Sequence, residues 1–142
     1  MAAPDSKTLH SQGLLALLNS TADLTDAELM FCNGVTQTEA TTYATAAAAE
    51  ITATGYSRIA LLNGTAQDDA GNSRVELVWD DATASPTSGN DWVFTDVFIV
   101  INKSATDLII ASFNWNSAQT YTGGQTYSIT NLSFYIPYAV AA

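Results

Sequence analysis

Between Asp91 and Ile101 the chain reads Asp-Trp-Val-Phe-Thr-Asp-Val-Phe-Ile-Val-Ile. Apolar residues fall on both alternations: Trp92, Phe94, Phe98 and Val100 on one side, Val93, Val97, Ile99 and Ile101 on the other. A strand that alternates apolar and polar residues covers one face of a core, whereas one apolar on both faces is enclosed. Its β-branched and aromatic content, without Gly or Pro, favours a pleated strand over a helix. This stretch is therefore expected to be the central strand of the body.

The remaining pattern supplies its neighbours. Leu9, Leu14, Leu15, Leu17 and Leu18 cluster on one side of a helix over residues 7–19, which Gly13 weakens. Such a helix would lie over an open end of the core or serve as an arm docked on another subunit, and the pattern does not separate the two. Residues 28–33 read as the first strand. Thr36-Gln37-Thr38-Glu39 has capping-box spacing and opens an Ala/Thr-rich helical segment to about Thr54. Further strands are expected over 56–62, over 73–80 with Val75, Leu77 and Trp79 facing inward, over 107–115, and over 125–129 and 132–137. Residues 81–90 read as a surface loop, and Ala118–Thr122 as an aromatic-tipped turn around Tyr121. Strands at this spacing with turns between them predict an all-β fold: an antiparallel β-sandwich, jelly-roll-like, with one or two short helices near the N-terminus. The expected division is an N-terminal arm over 1–20 and a sandwich over 21–142, with Trp92, Phe94, Phe98, Val100, Ile59, Leu77 and Trp79 buried between two sheets.

Composition narrows the function classes. The chain has 142 residues, four Lys and Arg against fourteen Asp and Glu, and a formal net charge of −10. That acidity repels phosphate backbones and argues against nucleic-acid binding. No apolar run reaches the ~20 residues of a membrane span, and the first residues carry no basic and apolar leader, so synthesis in the cytoplasm is expected. Cys32 is the only cysteine, so the fold has no intrachain disulfide, and it reads as a small core residue. His10 is the only histidine and lies in a peripheral segment, so a hydrolase triad would have to gather distant residues around it. Zinc spacing is absent. Asp68-Asp69 and Asp80-Asp81 are calcium candidates by residue type, but neither has EF-hand spacing and solvated turns explain both. No catalytic residue, metal or cofactor is therefore expected. Trp115 and Tyr121, near a loop, would either stack on sugar rings, cap the sandwich or pack on a neighbouring subunit.

Several stretches together resemble a family of tailed-phage virion proteins. A leucine-rich arm and a Leu-Met-Phe strand precede an Ala/Thr/Glu segment that runs into Gly55-Tyr56-Ser57-Arg58. Gly89-Asn90-Asp91-Trp92 then leads into the β-branched run ending at Ile101, Leu108-Ile109-Ile110-Ala111 follows, and Gly123-Gly124-Gln125-Thr126-Tyr127 precedes the last strand. Gln125 stands where the family's turn carries an acidic residue. The resemblance, over roughly residues 28–136, implies a non-enzymatic virion protein on a β-sandwich. Its expected role is a capsid decoration (cement) protein, with a tail, neck or fibre component as the alternative; a carbohydrate-binding module is a further alternative that rests only on the aromatics Trp115 and Tyr121. The resemblance implies the major capsid protein or neighbouring virion proteins as partners, a homotrimer, a place in the virion, and no nucleic acid or membrane contact. Expected partner-binding residues are Leu9, Leu14, Leu15, Leu18, Trp115, Tyr121, Tyr138 and Val140, with residues 1–20 and 138–142 held by other chains.

Overall fold

The computed structural model describes residues 3–20, 22–103 and 106–137. In chain order they form β1 (Ser6–Leu9), α1 (Ser11–Leu18), β2 (Ala27–Cys32), α2 (Tyr43–Ala47), β3 (Ile59–Leu61), β4 (Thr65–Asp69) and, after a 3-10 turn, β5 (Arg74–Val78). There follow β6 (Ala82–Ala84), β7 (Trp92–Ile101), β8 (Leu108–Tyr121), β9 (Tyr127–Ile129) and β10 (Ser133–Pro137). One antiparallel sheet has the order β1-β8-β7-β2-β3. The opposing layer is divided into β10-β5-β4 and β6-β9, also antiparallel. The protein is an all-β sandwich.

The core between the layers is aromatic. Phe31 and Phe94 meet edge-on at 4.9 Å between ring centroids, Phe94 and Tyr121 at 4.9 Å, and Phe31 and Trp92 at 5.2 Å. Leu77, Phe134, Ala84 and Ile129 close it from the second layer. Edge-to-face rings place a positive rim on a negative face and add to what their buried area contributes.

The central strand is β7, as its two-sided pattern predicts, but its phase differs from simple alternation. Where β7 inserts only Thr95 between its pairings through Phe94 and Asp96, β8 inserts Trp115 to Ala118. This bulge shifts the side-chain alternation by one residue. Trp92, Phe94, Val97, Ile99 and Ile101 therefore face the inter-sheet core. Phe98 and Val100, expected in that core, instead join Met30, Cys32, Ile109 and Ala46 on the opposite face. Val35, Tyr43, Ala47 and Ala49 cover them there.

Two helical expectations change as well. Residues 6–9 are an edge strand, with Lys7 opposite Phe113 and Leu9 opposite Ala111. The helix begins only at Ser11, and its residue Gly13 lies so close to β8 that an added Cβ would meet the Ile109 oxygen at 2.5 Å. The weak helix former is what allows helix and strand to touch. The segment after Thr36 forms one short helix instead of a long one. Thr42 caps α2 by accepting from the Thr45 amide, while the Thr38 amide donates to Thr41 Oγ1 at 2.9 Å. Threonine hydroxyls that bond the local backbone compete with helix extension. β4 and β6 are strands where solvated turns and a surface loop are expected; β4 is completed by its hairpin partner β5 and β6 by the distant β9.

Candidate functional site

The first candidate is the outer face of the N-terminal element. α1 reads Ser-Gln-Gly-Leu-Leu-Ala-Leu-Leu, so leucines occupy both of its sides. Gly13 and Ala16 are buried, and Leu9, Leu14 and Leu17 pack against the core. Leu15 and Leu18, one turn apart, are 61% and 81% exposed. From Thr8 to Ala22 the sequence carries no Asp, Glu, Lys or Arg. A helix that is apolar all round is normally enclosed on all sides, yet this chain covers only one side of α1. Within the chain itself, β1 and the start of α1 are fastened to β8: the Asp5 amide donates to the Asn114 oxygen and the His10 amide to the Ile110 oxygen, each at 2.8 Å.

Beneath α1 lies a buried polar chain. His10 caps the helix N-terminus by position, and its ring rests on Phe98 at 5.6 Å. Its Nδ1 donates to the Thr38 carbonyl at 3.0 Å, and its Nε2 meets Ser112 Oγ at 2.7 Å. Ser112 Oγ also faces Gln37 Oε1 within hydrogen-bonding distance. Gln37 Nε2 donates to Asp96 Oδ1 at 2.6 Å. Asn114 Nδ2 donates to the same oxygen at 2.8 Å. The other oxygen accepts from Thr95 Oγ1 at 2.5 Å and from the Val35 amide at 3.2 Å. His10, Ser112 and Asp96 are all fully buried. The set contains the residue types of a serine hydrolase, but Gln37 separates the carboxylate from the serine and no substrate can reach the hydroxyl. Its chemistry is fastening: it joins the β1–α1 junction, the 34–41 segment, β7 and β8.

A second group, half-buried, is ionic. Arg58 lies 2.9 Å from Glu28, 2.8 Å from Glu50 and 3.6 Å from Asp107, and also donates to Tyr43 Oη at 2.9 Å. Tyr56 Oη accepts from the Phe31 amide and donates to Glu50. The Glu50 hydrogen bonds hold the guanidinium firmly protonated, and burial pushes the Tyr56 phenol up. Both groups are structural, and they tie the 50–58 segment to β2. Cys32, its thiol pushed up to about 12 by burial, donates to the Ala46 carbonyl and is no nucleophile in this state. Among the described residues no group of three or more His, Cys, Asp or Glu side chains could hold a metal. Asp69 pairs with Arg74, and Asp80 accepts from Asn63.

A cleft of about 760 Å³ separates β1 from the β9–β10 connection. Its floor residues Phe31, Val97 and Tyr121 are buried, and the Lys7 amine bridges the two layers by donating to the Asn131 and Ser133 carbonyls at 3.0 Å each.

Of the expected partner-binding residues, Leu15 and Leu18 are exposed together, while Leu9 and Leu14 are half-buried on the inner side of the same element. Trp115 and Tyr121 are core residues, 5% and 1% exposed, and offer no platform to a sugar or a partner. The long β8 carries Tyr121 inward, where it stacks on Tyr127 at 4.1 Å. Tyr138 and Val140 lie outside the described residues. The polar chain was not anticipated from the sequence; its signal is Asp96, the one charge within the ten residues of β7. No protein-family model, no curated protein and no solved structure matches this chain.

Proposed function

We propose that this chain is a non-enzymatic structural protein of a tailed-phage virion, acting by adhesion as a decoration protein on the outside of the head. The observation that carries the adhesive part is α1: Leu15 and Leu18 project from a rigid sandwich within a charge-free stretch of a strongly acidic chain. Removing such a pair from water on a partner would contribute on the order of 1.5–3 kcal/mol per leucine, and simultaneous engagement of several copies multiplies a weak contact into stable attachment. The only histidine and the only cysteine are committed to internal hydrogen bonds, which supports a role without covalent chemistry. The virion assignment draws on the motif resemblance between residues 28 and 136, and with it come the major capsid protein as partner and a trimeric assembly. The burial of Trp115 and Tyr121 removes the basis for a carbohydrate-binding module.

The test is a particle experiment. Heads stripped of the protein should release their genome at a lower temperature than decorated heads, and adding the purified chain back should restore the difference. Equal heat stability, or copies confined to the tail axis in a reconstruction, would move the protein from the head to the tail. Failure to associate with any particle would end the virion assignment.

A further inference from the structure

We propose that Asn33-Gly34, the turn that closes β2, is a site of spontaneous deamidation, and that the product loosens the fastening of the 34–41 segment. The chain contains two Asn-Gly pairs, Asn33-Gly34 and Asn63-Gly64. In such a pair the second residue has no Cβ to hinder ring closure, so its backbone nitrogen can reach the asparagine side chain. The reaction needs only water. The glycine nitrogen bonds to the asparagine Cγ while the Cγ–Nδ2 bond breaks, and the proton that the nitrogen gives up leaves with Nδ2 as ammonia. Water then opens the cyclic imide at one of its two carbonyls. Cleavage at Cγ gives aspartate, and cleavage at the backbone carbonyl gives isoaspartate, whose main chain is longer by a methylene.

The fold treats the two pairs differently. Asn63 Nδ2 donates to Asp80 Oδ2 at 2.6 Å, so a carboxylate holds the leaving group in place. Gly64 is buried, and an added Cβ there would run into the Leu24 carbonyl oxygen and the Trp79 indole nitrogen. The 63–64 peptide therefore has no room to swing toward its side chain. At the other pair both residues are exposed, and around Gly34 no atom beyond its chain neighbours lies within 4 Å of where a Cβ would sit. Asn33 lines an open hollow with Glu50, Thr52 and Asp91, and its side chain has no hydrogen-bond partner among the described residues. One exposed bond restrains the turn, from the Gly34 amide to Thr95 Oγ1 at 2.8 Å. The bond from the Asn33 amide to the Ala49 carbonyl lies before the reacting peptide and does not hold it. Cyclisation at Asn33 thus waits on a single exposed hydrogen bond, a local opening that leaves the sheets intact. At Asn63 it must break a bond to a carboxylate and unpack a buried backbone.

The consequence follows from what the next residues hold. The Gly34 amide donates to Thr95 and the Val35 amide to Asp96 Oδ2, and these bonds fasten the start of the 34–41 segment to β7. The imide has no proton left on the Gly34 nitrogen, so the Thr95 bond is lost at that stage. Isoaspartate then lengthens the chain between the Asn33 amide, fixed to Ala49, and the Val35 amide, fixed to Asp96. The new carboxylate also joins Glu50 and Asp91 on the same hollow, where like charges repel it. Both changes draw the start of the segment away from β7.

The test is to age the full-length protein at mildly alkaline pH and map it by mass spectrometry, with isoaspartate scored by enzymatic methylation. Reaction at Asn33 should exceed that at Asn63 by about tenfold or more, the factor in rate that one hydrogen bond to a charged group supplies. In urea, with the fold lost, the two pairs should react at similar rates. Amide exchange on the aged protein should show Gly34 and Val35 losing protection in the modified fraction. The Trp79 amide, bonded to Leu132 in the second layer, should not change. Asn33→Gln, whose longer side chain closes a ring far more slowly, should keep Gly34 and Val35 protected on ageing. Equal reaction at both pairs in the folded protein would overturn the assignment, as would an Asn33 that stays intact until urea unfolds the chain. Modified protein whose Gly34 and Val35 amides remain protected would overturn the loosening.

Discussion

From Asp96 onward both faces of β7 are buried, and the two faces are held by different physics. Toward the second layer, Phe94 sits among Phe31, Trp115 and Tyr121, with ring centroids 4.9–5.5 Å apart. Toward the outer layer, Asp96 is just as buried but is surrounded by Gln37, Asn114, Thr95 and the Val35 amide. Apolar packing rewards area and tolerates many arrangements of similar volume. A buried carboxylate is tolerated only where its donors stand in fixed places, because leaving them unpaired is costly. The inner face thus supplies most of the stability, while the outer face determines where the 34–41 segment and the N-terminal element sit.

The largest effect should come from the inner face. Phe94→Ala removes a ring from the centre of the aromatic cluster and should destabilise the domain by about 3–5 kcal/mol, a large part of a typical domain's total. Urea unfolding would show it as a lower midpoint with an unchanged slope. A loss below about 1 kcal/mol would mean that the rings are not the main support. On the outer face, Asp96→Asn keeps the shape but turns one oxygen into a donor. Each carboxylate oxygen now takes two donors, so either amide orientation sets donors against a donor, at about 2–4 kcal/mol. Here the comparison predicts a second difference: Val35 and Gly34 should lose amide protection first, whereas Phe94→Ala should weaken the whole sheet evenly.

The same contrast explains what the sequence made legible. The enclosure of β7 and the sites of β2, β5, β9 and β10 follow from hydrophobic periodicity, which records burial on a face. The exchange of faces at Thr95 does not, because the bulge arises from extra residues in β8 and changes no letter of the apolar pattern in β7. β4 shows no pattern because all but one of its residues are exposed and its existence depends on pairing with β5. The leucines of the N-terminal element are visible as a cluster, but they do not reveal the strand at Ser6–Leu9, whose hydrogen bonds go to β8 more than a hundred residues away. Trp115 and Tyr121 mislead for a related reason: aromatic residues beside turn-forming ones look like a rim until the length of β8 is known.

Gly13 lies where an outer element meets the edge of the five-stranded sheet, so a smaller effect is expected there. Gly13→Ala gains up to ~1 kcal/mol in helix propensity. The new methyl would, however, meet the Ile109 oxygen at 2.5 Å and the Ile110 Cα at 2.7 Å, both backbone atoms that cannot swing aside. Crowding of this kind costs typically about 1–3 kcal/mol, so a net loss of about 1–2 kcal/mol should appear, with the amides of β1 and α1 losing protection while those of β2 keep theirs. A stabilised variant would show that α1 can lift from β8 freely.

The smallest effect on folding should come from the residues with the largest part in the proposed adhesion. Leu15 and Leu18 are exposed, and they can lose their apolar side chains with little change in the chain's own packing. Leu15→Ser combined with Leu18→Ser should stay within about 0.5 kcal/mol of the parent per substitution, apart from the modest helix-propensity cost of serine. Binding to stripped heads should nevertheless weaken strongly, because each copy loses its apolar contact and the loss is compounded across an assembly. Co-sedimentation of the variant with particles, alongside its urea midpoint, separates the two readouts. If the variant binds as the parent does, α1 is not the adhesive face, and its outer leucines have no assigned partner. If it unfolds instead, the helix contributes to the core through both sides, and the division between a supporting inner face and a recognising outer one fails at this element.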